Sequence, residues 1–269
     1  MGNNNDIQVL QVSNRWADAR ISLYGAHVLS FIPKGEQDIL WLSEKSNYLK
    51  GKAIRGGIPV CWPWFGAVKQ PTHGLARIQD WHFVSAVSEA DGSTTICLDL
   101  FCQEVNLNAV MRINVARELT VELTTENRGS EAVELTQALH SYFTIADIHQ
   151  VKCDGLDGMT YSDKVTGDTC CQSGSVIFDR ETDRVYDATA NVIVIDDPVM
   201  ARKICVERFG SNSTIVWNPW IAKAANMADF GDEEYLQMLC VEAANAGRDQ
   251  VLLQPGATHL LGTRIGLLA

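Results

Sequence analysis

No stretch of this chain stays apolar long enough to span a membrane as a helix, and the opening MGNNNDIQVL lacks the basic and apolar regions of an export signal. A cytoplasmic protein that does not associate with membranes is therefore expected. Positive charge is in short supply: 22 Lys and Arg stand against 33 Asp and Glu, for a net charge of -11. Nucleic acid needs a clustered positive field, so it is not an expected partner. The eight cysteines form no CxxC pair, which in a chain without an export signal points to reduced thiols, with Cys170 and Cys171 in a loop. The six histidines fall into no HExxH or HxH spacing, so no metal site is expected. A GxSxG elbow, a phosphate-cradling P-loop and a cysteine in an activating context are all missing. Helix signals are also scarce. The best is the short segment Asp232 to Leu239, with acidic residues at its front where the helix dipole favours them.

What fills the chain instead is alternation of period two. It runs through Ile7 to Val12, Ala19 to Ile32 with a bend at Gly25, Thr94 to Phe101, Asn108 to Val115, and Arg117 to Asn127 with Leu119, Val121 and Leu123 on one face. Asp38 to Leu42 adds a short apolar run, and Val133 to Ile145 reads as one further strand-like run. Loops with brief strands fill Val151 to Asp179. Strand character returns at Asp183 to Tyr186, Asn191 to Asp196, Lys203 to Arg208, Ser213 to Trp217 and from Gln250 onward. Turn signals at Asp91-Gly92 and Arg128-Gly129-Ser130 separate neighbours as hairpins require. There is no repeat, linker or low-complexity tract. The expected fold is all-β, a large antiparallel β-sandwich forming one domain over residues 1–269.

One segment breaks the pattern. Arg55 to Arg77, RGGIPVCWPWFGAVKQPTHGLAR, combines paired glycines and early prolines, which exclude a regular helix, with Trp62, Trp64 and Phe65. Two arginines bracket it, and Arg is the side chain suited to forked recognition of phosphate or carboxylate. In an acidic chain that suggests a local anion site. Arginines also pair with surface carboxylates and loop aromatics also plug cores, so the residues alone leave both readings open.

Glu242, in CVEAAN, sits among apolar neighbours, and a buried Glu must be paired or functional. His140 lies in the middle of an apolar run. A Glu whose proton affinity is raised by apolar surroundings, with a His on another strand, suits proton shuttling near neutral pH.

The combination of IRGGIPVCWPWFG, HGLAR, ALHSYF, TDRVY, VWNPW and CVEAAN, in that order along the chain, resembles the aldose 1-epimerase (mutarotase) superfamily and, within it, the hexose-6-phosphate mutarotase (glucose-6-phosphate 1-epimerase) branch. The resemblance implies a galactose-mutarotase-like supersandwich with an open cleft, and cofactor-free interconversion of the α and β anomers of a phosphosugar. A monomer is expected. The same resemblance implies Glu242 as the base that takes the C1 hydroxyl proton and His140 as the acid that protonates the ring oxygen. Arg55 and Arg77 would clamp the phosphate, while His73 and Asp183 line the sugar and Trp217 packs on its face. Thr72 joins the substrate-binding set at a position where several relatives carry Gln or a similar longer residue. Two other functions fit the residues less closely. A non-catalytic sugar-phosphate or carbohydrate binder would not need the Glu and His pair, and a glycoside hydrolase would need Asp183 and Glu242 as paired carboxylates.

Overall fold

Nine antiparallel strands form the larger sheet, in the order Val176–Ile177, Lys152–Asp154, Val192–Asp197, Arg202–Phe209, Thr258–Leu267, Leu119–Asn127, Leu107–Val115, Thr94–Cys102 and His82–Ser88. The computed structural model describes residues 7–187 and 190–268. The first six residues, on which the expectation of a missing export signal partly rests, lie outside the described residues. Along Leu119–Asn127 every second residue is buried, so Leu119, Val121 and Leu123 share the inward face that their spacing predicts.

The second sheet has eight strands. Its path runs Thr169–Cys171, Thr160–Asp163, Thr182–Asp187, Ser213–Asn218, Met238–Asn245, Gln137–Leu139 and Val60–Cys61, and Tyr142–Thr144 also pairs with Met238–Asn245. Buried residues of both large sheets belong to one hydrophobic cluster that includes Met111, Leu123, Leu139, Val216, Val241 and Ile265. Met238–Asn245 is buried at all eight positions. A strand covered on both faces needs no polar alternation, which is why MLCVEAAN reads as a nearly continuous apolar run.

The structure departs from the sequence reading in four places. Cys170 and Cys171 lie in the strand Thr169–Cys171, paired with Tyr161 and Thr160, rather than in a loop. Val133 to Ile145 is three strands rather than one: Val133–Leu135 leaves to pair with Val251–Leu253, and the other two pieces stay beside Met238–Asn245. Asp38 to Leu42 makes only isolated bridges, Leu40 with Phe143 and Leu42 with Gly56. The helical reading of Asp232 to Leu239 survives only as a 3-10 turn at Glu234–Gln237, because Met238 begins a strand by pairing with Thr144. The Glu234 carboxylate is also drawn away, accepting from Ser43 Oγ and from the Glu44 and Gly231 amides. Tertiary partners outweigh the local preference here. Among the described residues the one α-helix is Trp220–Ala225, and no helix is long and apolar enough to cross a membrane.

Candidate active site

Strand register assembles the site on one face of the eight-stranded sheet. Leu139 pairs with Ala243 and Tyr142 with Cys240. The offset is the same on both sides of the gap between the two short strands, so His140 falls across from Glu242. Farther along, Ile215 pairs with Glu242, Trp217 with Cys240 and Asp183 with Trp217. Two neighbouring rows thus carry Val185, Ile215, Glu242 and His140 in one and Asp183, Trp217, Cys240 and Tyr142 in the other. Because alternate residues share a face, His140, Glu242, Trp217 and Asp183 are brought to the same side.

The gap itself matters. His140 donates its amide to Pro59 O at 3.0 Å, and Val241 donates to Ser141 O at 3.3 Å, so the backbone stays bonded while the ladder is interrupted. The His140 ring stacks on Tyr142 with centroids 4.6 Å apart and planes 10° from parallel, and it meets Trp217 edge-on at 5.8 Å. Its Nδ1 is 3.4 Å from Glu242 Oε1, yet Nδ1 and Glu242 Oε2 are both buried without a hydrogen-bond partner. The pair is aimed together but not closed, as catalytic groups awaiting substrate often are.

Burial dominates the protonation of both. It drives Glu242 well above the ordinary carboxyl range, assisted by the charge of Asp183. His140 is driven well below the ordinary imidazole range by burial, by His73 and by Arg55 and Arg77. Both shifts favour the uncharged pair, a protonated Glu242 beside a neutral His140 imidazole.

The segment between the two arginines is folded over this face. Trp62, fully buried, donates Nε1 to Thr125 Oγ1 at 2.9 Å, which ties the loop to the larger sheet. Trp62 O accepts from the amides of Leu75 and Ala76. Gly74, at φ +77°, lies so close over Trp62 O that a Cβ would collide with it, so glycine is required there. His73 also has a left-handed backbone, at φ 62°. The Gly66 amide donates to its Nδ1 at 3.3 Å, which leaves the ring proton on Nε2. Burial and the two arginines lower the His73 pKa to about 3, so it is a neutral hydrogen-bonding group. Phe65 packs edge-on against it at 4.8 Å. The aromatics of this loop thus serve structure and cleft wall.

Arg55 reaches the site through Tyr142, whose ring stacks on His140, and Arg77 through the carbonyl of Thr72 beside His73; both charges lower the proton affinity of His73 and His140. Arg77 donates Nη2 to Thr72 O at 2.7 Å and keeps a buried Nε with no partner. Thr72 thus contributes its carbonyl to holding Arg77. Arg55 donates Nη1 to the Tyr142 hydroxyl at 3.0 Å and faces Asp229 with Nε and Nη2, each at 3.3 Å. Tyr142 and Asp229 escape the sequence reading. Tyr142 stands two residues from His140 and so on its face, a signal that was available, but Asp229 lies in an irregular stretch far along the chain.

Asp183 and His73 line a cleft of about 500 Å³ together with Phe65, Thr136, Lys164 and Gln250. Lys223 lies 3.7 Å from Asp183 and opposes the upward push of burial on its pKa. A larger hollow of about 650 Å³ lies elsewhere, between Asp38, Trp41, Glu44 and Glu234. Two of its carboxylates are engaged: Asp38 accepts from Ser30, Phe31 and Leu40, and Glu234 from Ser43, Glu44 and Gly231. Among the described residues no group of three or more His, Cys, Asp or Glu could hold a metal ion.

Set beside known proteins, the chain matches the model of the aldose 1-epimerase family over residues 8–266. The chain belongs to this family. It is 34% identical over 267 residues to a "Putative glucose-6-phosphate 1-epimerase" of Escherichia coli (strain K12), covering 95% of this chain and 89% of that one. A plant relative from Cenchrus ciliaris carrying the same description is 33% identical over 256 residues, covering 88% of this chain and 78% of the other. Among solved structures, a "putative mutarotase" from Salmonella typhimurium superposes with a TM-score of 0.90 at 31% identity, over 97% of this chain and 90% of that one. The aldose 1-epimerase fold expected from the motifs is the fold observed.

Proposed function

We propose that this aldose 1-epimerase family member interconverts the α and β anomers of a hexose 6-phosphate, with Glu242 and His140 moving the protons and Arg55 and Arg77 binding the phosphate. The observation that carries the reading is the buried His140 and Glu242 pair, aimed together 3.4 Å apart with polar atoms unsatisfied, with Arg55 bonded to the Tyr142 hydroxyl whose ring stacks on His140. The 34% identity to a protein described as a "Putative glucose-6-phosphate 1-epimerase" supports the substrate class.

The chemistry follows from the charges. A phosphate dianion arriving at Arg55 and Arg77 offsets the share of the His140 shift that comes from their charges, burial remaining the larger cause. The proton then shifts from Glu242 toward the imidazole, giving a carboxylate base and an imidazolium acid. Glu242 removes the proton from the C1 hydroxyl, the C1 to O5 bond breaks as the aldehyde forms, and His140 gives its proton to O5. That leaves Glu242 protonated and His140 neutral, the distribution favoured in the unliganded site. Rotation about C1 to C2 and closure with the roles reversed yields the other anomer. His73 and Asp183, on the cleft wall, hold sugar hydroxyls, and Trp217 covers the sugar face.

A glycoside hydrolase would place a second carboxylate as partner to Glu242; here the partner is an imidazole. A pure binder has no use for two buried titratable groups with opposed shifts. Mixing one pure anomer of glucose 6-phosphate with micromolar protein and following exchange by NMR tests the proposal. Exchange should exceed the buffer rate and fall by orders of magnitude with Glu242→Gln; no acceleration by the unaltered protein overturns it.

A further inference from the structure

Two groups compete for different edges of the Arg55 guanidinium. Tyr142 takes Nη1 at 3.0 Å, an ordinary hydrogen bond. Asp229 takes Nε and Nη2, but at 3.3 Å, with a closest approach of 3.2 Å. Charge-assisted bonds of a well-seated guanidinium and carboxylate are about 2.7 to 2.9 Å long, so this pair is loose. It is also open to water, with the two side chains 23% and 25% exposed.

The surroundings give the two partners different characters. The Tyr142 ring is fully buried, stacked between His140 at 4.6 Å and Trp41 at 5.7 Å, so its hydroxyl is fixed in place. Asp229 lies in the irregular segment after the Trp220–Ala225 helix, next to Phe230, whose ring packs on Trp41 at 5.1 Å. Tyr142 can therefore hold Arg55 in position whether or not a second anion is present. The carboxylate occupies the forked Nε and Nη2 edge, which is the edge that matches a phosphate.

We infer that Asp229 is a specificity-determining placeholder: it occupies the anion-binding edge of Arg55 in the empty site, and the phosphate of the substrate must displace it. The inference rests on the reading of Arg55 as a phosphate ligand given above. It follows that phosphosugar affinity is set below what the two arginines could deliver, because a carboxylate on the same guanidinium competes with and repels the incoming dianion. A neutral sugar does not displace Asp229 and leaves Arg55 neutralised, so Asp229 acts on phosphorylated substrates alone.

The experiment is direct binding of inorganic phosphate and of glucose 6-phosphate by calorimetry, together with anomer exchange of glucose and glucose 6-phosphate, in the full chain and its variants. Asp229→Asn should tighten phosphate binding roughly three- to thirtyfold, the scale of one like charge removed a few ångströms away in a partly solvated site. It should also lower KM for the phosphorylated sugar and raise its kcat/KM relative to glucose. Asp229→Glu, which keeps the charge, should bring no such gain. If Asp229→Asn weakens phosphate binding, the carboxylate orients Arg55 instead of competing for it, and the inference is overturned; unchanged binding overturns it equally. Arg55→Ala separates this from the underlying reading: if it leaves phosphate binding intact, the clamp assignment fails, whereas if it abolishes binding while Asp229→Asn brings no gain, only the placeholder fails.

Discussion

His140 Nδ1 and Glu242 Oε1 stand 3.4 Å apart at a break between two short strands that share one neighbour. A continuous strand would have committed His140 to regular pairing; the break keeps the register and gives its amide to Pro59. The two side chains then face each other inside an aromatic enclosure of Tyr142 and Trp217. Replacing Glu242 by Gln or His140 by Asn keeps the shape and removes the proton transfer. Each should lower kcat for anomer exchange roughly 10²- to 10⁴-fold, the scale of a positioned acid or base. The double variant should lose little more than the worse single one, since the two groups act as a unit. Additive losses would show that they act separately.

The same burial has a cost in stability. The folded-state pKa of Glu242 is raised above the ordinary 4.5 by burial and by Asp183. A carboxyl with a raised folded pKa favours the folded state below its unfolded value and loses that advantage as pH rises through the folded one. Glu242→Gln should therefore be more stable than the unaltered protein at pH 8, by on the order of 1 kcal/mol, with the difference shrinking as pH falls toward 4.5. His140 is shifted the opposite way, so its neutral burial favours the folded state above the ordinary imidazole value and that contribution is lost on acidification. Denaturant melts at several pH values check both signs.

The two arginines should separate in their effects. Arg55→Ala removes a charge whose neighbours, Tyr142 and Asp229, keep other contacts or water. Arg77→Ala also releases Thr72 O, so it loosens the loop that carries His73. Both should raise KM for glucose 6-phosphate roughly 10- to 150-fold, equivalent to about 1.5 to 3 kcal/mol, the worth of a charge-assisted hydrogen bond. Arg77→Ala should in addition slow exchange of plain glucose, and Arg55→Ala should do so much less. Equal losses on glucose and on its phosphate would dismiss the clamp.

How much of this was legible in the sequence depends on the kind of signal. Strands such as Leu119–Asn127 alternate because one face meets the core and the other does not, and that period is written in the residues. Glu242 stood out because an acid among apolar neighbours is costly unless paired or functional, and the burial observed agrees. The division of Val133 to Ile145 was not legible, since each piece keeps strand chemistry and only the partners differ. The helical reading of Asp232 to Leu239 failed for a related reason, its apolar half being claimed by the sheet. Asp229 gave no local signal, because its meaning comes from Arg55, 174 positions away in sequence.

Tyr142 offers a test of how Arg55 is held. Its hydroxyl accepts from Arg55 Nη1 while its ring stacks on His140. Tyr142→Phe deletes only the first contact and should raise KM for the phosphosugar several-fold, about 1 kcal/mol, with kcat nearly kept. Tyr142→Leu also deletes the stack and should lower kcat as well, because His140 loses the surface that orients its ring. A Phe variant with kcat as low as the Leu variant would mean that the hydroxyl, not the stack, supports His140.

Gly74 tests whether the loop geometry is needed for chemistry. Its φ of +77° is left-handed, and a Cβ there would collide with Trp62 O, the carbonyl that already accepts from Leu75 and Ala76. Relief would have to come from the backbone, because the obstructing atom is itself backbone and the Trp62 side chain is pinned to Thr125. Gly74→Ala should thus cost more than the roughly 1 to 2 kcal/mol of left-handed strain alone, and it should displace the adjacent His73. The expected result is a lowered Tm together with a loss of kcat/KM for glucose and glucose 6-phosphate alike, because His73 is assigned to the sugar and not to the phosphate in the proposed mechanism. Gly66, whose φ of +78° is also left-handed but whose Cβ would meet nothing within 4 Å, is the control. Gly66→Ala bears the strain without the collision, so it should lose less stability, and the difference between the two variants measures how far the backbone contact at Trp62 holds the substrate-facing loop in shape.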